Sequence, residues 1–352
     1  MEIIVLQNFI DDINSVKDYI KHIDLTTKVE LNNRESTESS IIDFSNHLRS
    51  FGKSKKLFEY KSIVVSLYGI LENYICICIR EHIGTISSII NDYNDLPDKI
   101  QTHHFDLTIG LLSLIIENKN AKYGHLKKEN VLSILNSCIS NPANYKMNSD
   151  AFLPKSGNLK HSKIVEVFYK LEIELQKKFK TNPHLSTVLK KNFGDRIANK
   201  GDELFETIDD LVERRNDIAH GVHIDNILNI TEFEDFINFL ESYGKALFEI
   251  IVEKEIQYEA NNLFDKIEKI YNVIHHGTVL CFEIKDNTIT VGDFVIIEKP
   301  DGTYLKSKIL EIQHNSVNVP KIETKERLDI GIKLDAKITK KHFFYIKKAS
   351  LN

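Results

Sequence analysis

The feature that most constrains this chain is a change of period near Gly277. Up to about residue 274, apolar residues recur three and four apart, as in Phe9, Ile10, Ile13, Val16, Tyr19, Ile20 and Ile23. That spacing lays one apolar stripe along a helix. Beyond His276-Gly277 the apolar residues fall in short β-rich runs at 278–284, 288–291, 294–297, 306–313 and 330–334, with Gly292-Asp293 and Asp301-Gly302 between runs as turns. One element cannot serve both periods. The expected fold class is therefore α+β with two domains: an α-helical bundle over residues 1–272 and a small all-β barrel over residues 273–352. Length agrees, because 352 residues exceed the roughly 250–300 at which a single core stops growing.

Within the helical part, the pattern predicts helices over 9–23, 57–83 with a continuation over 86–93, 105–116, 129–138, 161–179, 185–192 and 203–219. A further helix should start at the capping-box spacing of Thr231 and Glu234 and run past Tyr258 to about 274. The polar stretch 26–40 and the Asn-, Pro-, Ser- and Gly-rich stretch 141–158 read as loops, and Asp95-Leu96-Pro97-Asp98 as a break.

Several function classes are excluded at this level. Hydrophobic residues make up 42% and charged residues 28%, which is a folding rather than a disordered composition. The first ten residues carry Glu2 instead of a basic n-region, so secretion is not expected. The longest apolar stretch, 63–79, is interrupted by Ser66, Glu72 and Asn73 and reads as a buried helix rather than a membrane span. Cys76, Cys78, Cys138 and Cys281 fit neither a disulfide framework nor a zinc site, and read as thiols of a reducing, cytoplasmic compartment. The His103-His104 and His275-His276 pairs lack ligand spacing, so neither metal nor cofactor is expected. A net charge of −5 argues against bulk electrostatic capture of nucleic acid. Residues 273–352 carry 13 Lys or Arg against 10 Asp or Glu, so any RNA contact must use local patches, such as Lys53, Lys55 and Lys56 or Lys177, Lys178 and Lys180.

The chemistry-bearing segment is Glu213-Arg214-Arg215-Asn216-Asp217-Ile218-Ala219-His220-Gly221. Arg-x-x-x-x-His alone is a weak signal, and its context carries the reading. Asn216 and His220 are four apart on one helix face, so the amide can orient the imidazole. Arg215 lies about 140° round the helix from His220 at 3.6 residues per turn. Either the helix loosens near Gly221 or two protomers complete one site. Cleavage of RNA without metal needs proton transfer at the 2′-hydroxyl and the departing 5′-oxygen, and a cation for the phosphorane charge. A histidine and an arginine supply these.

The segment resembles the Arg-x(4-6)-His signature of the HEPN superfamily, including the Asn after the Arg. Ile63-Val64-Val65-Ser66-Leu67-Tyr68-Gly69-Ile70-Leu71-Glu72 is similar to the N-terminal helix of a large bacterial HEPN subfamily, and Ser156-Gly157-Asn158-Leu159-Lys160 to its Ser-x-Asn-Leu connection. The resemblance covers about residues 5–250. It implies a helical bundle, a homodimer pairing two motifs, metal-independent cleavage of RNA, and duty in antiviral defence or as a toxin with an antitoxin or defence partner. Glu72 is either a polar member of the site or a buried structural carboxylate. Arg214 is its partner or a second phosphate ligand.

The 277–279, 289–297, 308–312 and 329–334 segments look like domain II of translational GTPases, which implies a small β-barrel. No Gly-x-x-x-x-Gly-Lys-Ser/Thr loop exists, so the chain is not a GTPase. The barrel reads as a docking module, with tRNA or ribosome-associated RNA as attractive partners, or as a structural element. The expected function is an endoribonuclease with Arg215, Asn216, His220, Glu72 and Arg214 as site residues. The alternative is a noncatalytic HEPN scaffold or RNA-binding protein.

Overall fold

The structure, a computed structural model, describes residues 1–32, 38–117, 123–155, 157–194 and 200–349. It divides into two compact units. Met1–Ile83, Pro97–Ser140 and Lys146–Ile250 form the first; Gly84–Leu96, Asn141–Tyr145 and the chain from Ile251 onward form the second. Nine α-helices lie among the described residues: α1 (Ile3–Asn32), α2 (Ser39–Ile89), α3 (Asp98–Ile116), α4 (Lys128–Ser140), α5 (His161–Lys170), α6 (Leu175–Thr181), α7 (Pro183–Phe193), α8 (Glu206–Ala219) and α9 (Ile230–Leu263).

The first unit is the expected helical bundle. α1 buries Phe9, Ile13, Val16 and Ile20, one residue per turn or so of its apolar stripe. The Phe9 ring stacks on Tyr74 with centroids 4.1 Å apart. A side chain at Gly244 would bring a Cβ to 2.2 Å from Phe9, so the close approach of α9 needs that glycine. The expected loop at 26–40 is corrected: α1 is helical to Asn32 and α2 begins at Ser39, while residues 33–37 lie outside the described residues. The polar residues fit the helix because Thr26 and Thr27 bond back to the carbonyls of His22 and Ile23. α2 is one continuous helix of 51 residues. Its 54–89 part is long and apolar enough to cross a membrane by length and composition, and 56% of the most apolar window is buried within the protein.

Two further boundaries differ from expectation. The helix expected over 161–179 is split into α5 and α6, because Glu172 adopts a left-handed φ of 60° and Ile173 N–H returns to the Phe168 carbonyl. No Gly or Pro marks that break. The capping box of α9 is formed by Asn229 and Glu232 rather than Thr231 and Glu234: Glu232 accepts from Asn229 N–H at 2.7 Å and Asn229 from Glu232 N–H at 3.0 Å. The His103-His104 pair is structural at its second member. His104 is buried, and its Nε2 accepts from Asn148 N–H at 2.9 Å.

In the second unit α9 ends at Leu263, eleven residues short of the expected end at 274, and strands follow at once. These are β1 (Phe264–Lys266), β2 (Ile270–Ile274), β3 (Val279–Ile284), β4 (Asn287–Thr290), β5 (Phe294–Glu298), β6 (Tyr304–His314), β7 (Val317–Val319), β8 (Lys321–Thr324), β9 (Leu328–Leu334) and β10 (Phe343–Lys347). Residue 273, where the sequence reading divides the domains, falls inside β2. The main sheet runs β1-β10-β5-β6-β9-β3-β2, with β7 beside β6 and a separate β4-β8 pair. All pairings are antiparallel, and the sheet curls into a half-barrel over Leu280, Phe282, Val295, Ile297, Ile332 and Phe344. Gly292 sits at φ 99° in a tight turn where Asp293 N–H meets the Thr290 carbonyl at 3.0 Å, as the Val-Gly-Asp spacing predicts.

Candidate active site

α8 carries the Arg-x-x-x-x-His segment. Ile208, Leu211 and Val212 bury one face of the helix, which leaves Glu213, Asp217 and Ala219 exposed. The helix ends in a Schellman cap: Gly221 N–H bonds to the Ile218 carbonyl at 3.3 Å and Val222 N–H to the Asp217 carbonyl at 2.9 Å. Gly221 takes φ 69°, the left-handed conformation that favours glycine. His220 is the C-cap residue, with its own N–H on the Asn216 carbonyl and its side chain exposed.

α8 is tied to the 157–160 connection and α5 along its length. Asp209 accepts from His161 N–H at 2.7 Å, satisfying a donor at the start of α5, and Glu213 pairs with Lys160 at 2.8 Å. Beneath them His161 is buried, stacked on Phe205 at 3.8 Å, and bonded to Tyr243 and Gln176 through its two ring nitrogens. Burial lowers its pKa, so the ring is held neutral between these partners.

Arg215 meets its own helix and two other segments. Its guanidinium carbon lies 4.8 Å from the centroid of the Tyr68 ring on α2. Nη1 donates to Asn216 Oδ1 at 3.0 Å. Nη2 lies over Gly157, where an added Cβ would come within 3.1 Å of it. The Asn216 amide is oriented by this contact: with Oδ1 taken by the guanidinium, Nδ2 donates to Asn158 Oδ1 at 3.1 Å. Tyr68 completes the arrangement by donating its hydroxyl to the Gly157 carbonyl at 2.5 Å. The Tyr68 pKa is pushed up to about 12, chiefly by burial and then by the neighbouring Glu72 carboxylate, with Arg215 opposing.

The expected residues therefore do not all converge in the way the sequence suggested. Asn216 turns to Arg215 and Asn158; it is not the group that orients His220. Glu72 is half-buried, one helical turn from Tyr68 and close enough to raise its pKa. Arg214 is drawn to a different set: Asp210 at 2.9 Å, the Tyr60 hydroxyl at 3.0 Å and the Asn226 carbonyl at 3.1 Å. Burial works against its charge, but the bonds to Tyr60 and Asp210 outweigh that and raise its pKa. Tyr68, Gly157 and Asn158 were not singled out as site residues. The available signal was the four-residue spacing of Tyr68 and Glu72, which places both on one face of α2. Ser156, the first residue of the Ser-x-Asn-Leu resemblance, lies outside the described residues. Among the described residues no three His, Cys, Asp or Glu side chains are grouped to hold a metal ion.

Comparison with known proteins adds a family. The sequence profile of the RiboL-PSP-HEPN family matches residues 30–253. No curated protein matches the chain. Among solved structures, GDP-bound aIF5B from Aeropyrum pernix is similar over 52% of this chain and 36% of its own, at 11% identity and a TM-score of 0.19. That match spans about a third of the aIF5B chain and is too slight to bear on function.

Proposed function

This chain belongs to the RiboL-PSP-HEPN family, and on that premise we propose that it is a metal-independent endoribonuclease acting on single-stranded or loop RNA. The observation that carries the reading is the hold on Arg215 by the Tyr68 ring and the Asn216 amide, beside Gly157, which has no side chain to crowd the guanidinium. A planar cation fixed in advance can stabilise charge that develops on a phosphate without reorganising during the reaction. In the proposed mechanism His220 moves the proton, from the 2′-hydroxyl as it attacks the adjacent phosphorus or to the 5′-oxygen as it leaves. Arg215 takes the charge of the phosphorane between these steps. The phosphodiester opens to a 2′,3′-cyclic phosphate and a 5′-hydroxyl. Asn216, Asn158 and Tyr68 position Arg215, Glu72 sets the polarity around Tyr68, and Arg214 supports the fold of the segment.

Two copies related by a two-fold axis would give the groove two histidines, one for each proton step, so the active form is proposed to be a homodimer. We place the enzyme in the cytoplasm, consistent with the free thiols of Cys76, Cys78, Cys138 and Cys281, as a defence effector or a toxin restrained by a partner. One observation favours the noncatalytic alternative: Nη1 of Arg215 already has a protein acceptor. Incubating purified protein with total RNA in excess EDTA separates the two. Persistent cleavage leaving 2′,3′-cyclic ends is the expected result; intact RNA with retained binding would favour the scaffold.

A further inference from the structure

We infer that the open margins of the half-barrel's outward face, on β1, β10, β5 and β6, are a binding surface for single-stranded RNA, an inference that rests on the proposed function in taking RNA as the partner. The register defines the face. Val295, Ile297, Phe344 and Ile346 point into the core, so their neighbours Phe294, Ile296, Phe343, Tyr345 and Lys347 point outward. The middle of this face is covered within the unit, since Ile296 packs on Ile256 and Ala260 of α9. Its margins are open: Phe294 is 49% and Phe343 45% exposed.

Each exposed ring has a lysine beside it. The Lys266 ammonium lies 3.6 Å from the Phe343 centroid, and Lys308 stands directly opposite Phe294 in the β5–β6 register. Lys347, also exposed, pairs across β1 with Phe264. Glu259 is paired with Lys306, while Glu298, opposite Phe343 in the β10–β5 register, accepts from the Tyr345 hydroxyl and keeps its charge. Lys266, Lys308 and Lys347 have no carboxylate partner among the described residues. Exposed rings on the neighbouring strands β5 and β10 are thus flanked by lysines on β1, β10 and β6: a free base can stack on Phe294, and on Phe343 once the Lys266 ammonium turns from the ring to a phosphate. A duplex hides its base faces, so it can use only half of this surface. A lipid surface would favour apolar residues gathered together and bordered by cations, not interleaved with them.

The test uses the full chain with His220→Ala to preserve the RNA, titrated against a labelled unstructured oligouridine by fluorescence anisotropy over a salt series. The Phe294→Ala, Phe343→Ala pair should weaken binding about tenfold and leave the salt dependence unchanged. The Lys308→Glu, Lys347→Glu pair should weaken it by about tenfold or more and flatten the salt dependence. All four positions are exposed, and Phe294→Tyr should bind like the parent, which separates stacking from a folding defect. The inference is overturned if both pairs bind within about twofold of the parent, if duplex RNA binds as tightly, or if anionic phosphatidylserine vesicles are bound and oligouridine is not. Cleavage by the His220-containing chain is scored separately. RNA cut by that chain with binding indifferent to the patch sinks this inference alone, whereas patch-dependent binding without any cleavage sinks the ribonuclease reading alone.

Discussion

The guanidinium of Arg215 lies 4.8 Å above the centre of the Tyr68 ring, joining two helices whose relevant residues are 147 positions apart in the chain. A cation over an aromatic face contributes about 0.5–2 kcal/mol depending on desolvation. Tyr68→Phe keeps the ring and loses the bond to the Gly157 carbonyl, about 1 kcal/mol, so turnover should fall only several-fold. Tyr68→Leu removes both and should reduce turnover by about ten- to a hundredfold, with KM changing less. Equal rates for the two variants would show that the ring does not position Arg215.

Arg215→Lys keeps the charge and loses the planar fork, so it should recover little of the roughly hundredfold or greater loss expected for Arg215→Ala. Asn216→Ala removes the acceptor of Nη1 and the link to Asn158, and should fall between the parent and Arg215→Ala. If Asn216→Ala instead altered the pH profile and left the response to Arg215→Lys untouched, its role would lie with His220 after all. Single-turnover rates across pH provide the measurement.

Arg214 should behave differently from its neighbour. Its three bonds hold Asp210, Tyr60 and the Asn226 carbonyl, and its side chain is only 15% exposed. Arg214→Ala should cost about 1–3 kcal/mol of stability through the partners it leaves unsatisfied, while the turnover of folded protein changes little. Denaturant unfolding alongside kinetics tests this. A normal unfolding midpoint with lost turnover would make Arg214 a substrate ligand.

The part of this site that was legible in the sequence is the part that local physics decides. The stripe of Ile208, Leu211 and Val212 announces α8, and Gly221 announces its end, because only glycine takes the left-handed cap cheaply. The partner of Asn216 was not legible. The four-residue rule points its amide at His220, yet a tertiary acceptor on Asn158 and the adjacent guanidinium compete for the same two groups and win. The same limit explains the break at Glu172, which depends on how α5 and α6 pack rather than on any turn residue. It also explains β1 and β10: three residues of β1 become a strand only because Lys347, Ile346 and Tyr345 arrive to pair with Phe264, Asp265 and Lys266.

Acid stability should depend on His104. Its pKa is lowered by burial from 6.5 to about 4. The folded protein holds the ring neutral, while the unfolded chain takes up a proton below pH 6.5. Its contribution to stability is therefore complete above that pH and is lost as the pH falls from 6.5 toward about 4, a swing on the order of 3 kcal/mol. His104→Gln offers an acceptor to Asn148 N–H without titrating, so its unfolding midpoint should vary less between neutral pH and about pH 4.5 than that of the parent. Identical pH dependence would remove His104 from the account.

The central claim is that His220, at the exposed end of α8, moves the proton while Arg215 takes the charge. The most direct measurement compares the parent and His220→Ala for RNA cleavage in excess EDTA, with the chemistry of the product ends determined. The account predicts intact fold, a loss of rate on the order of 100- to 10,000-fold for the variant, and 2′,3′-cyclic phosphate with 5′-hydroxyl ends from the parent. Cleavage by His220→Ala at the parental rate, or 5′-phosphate ends whose formation stops in EDTA, would contradict it.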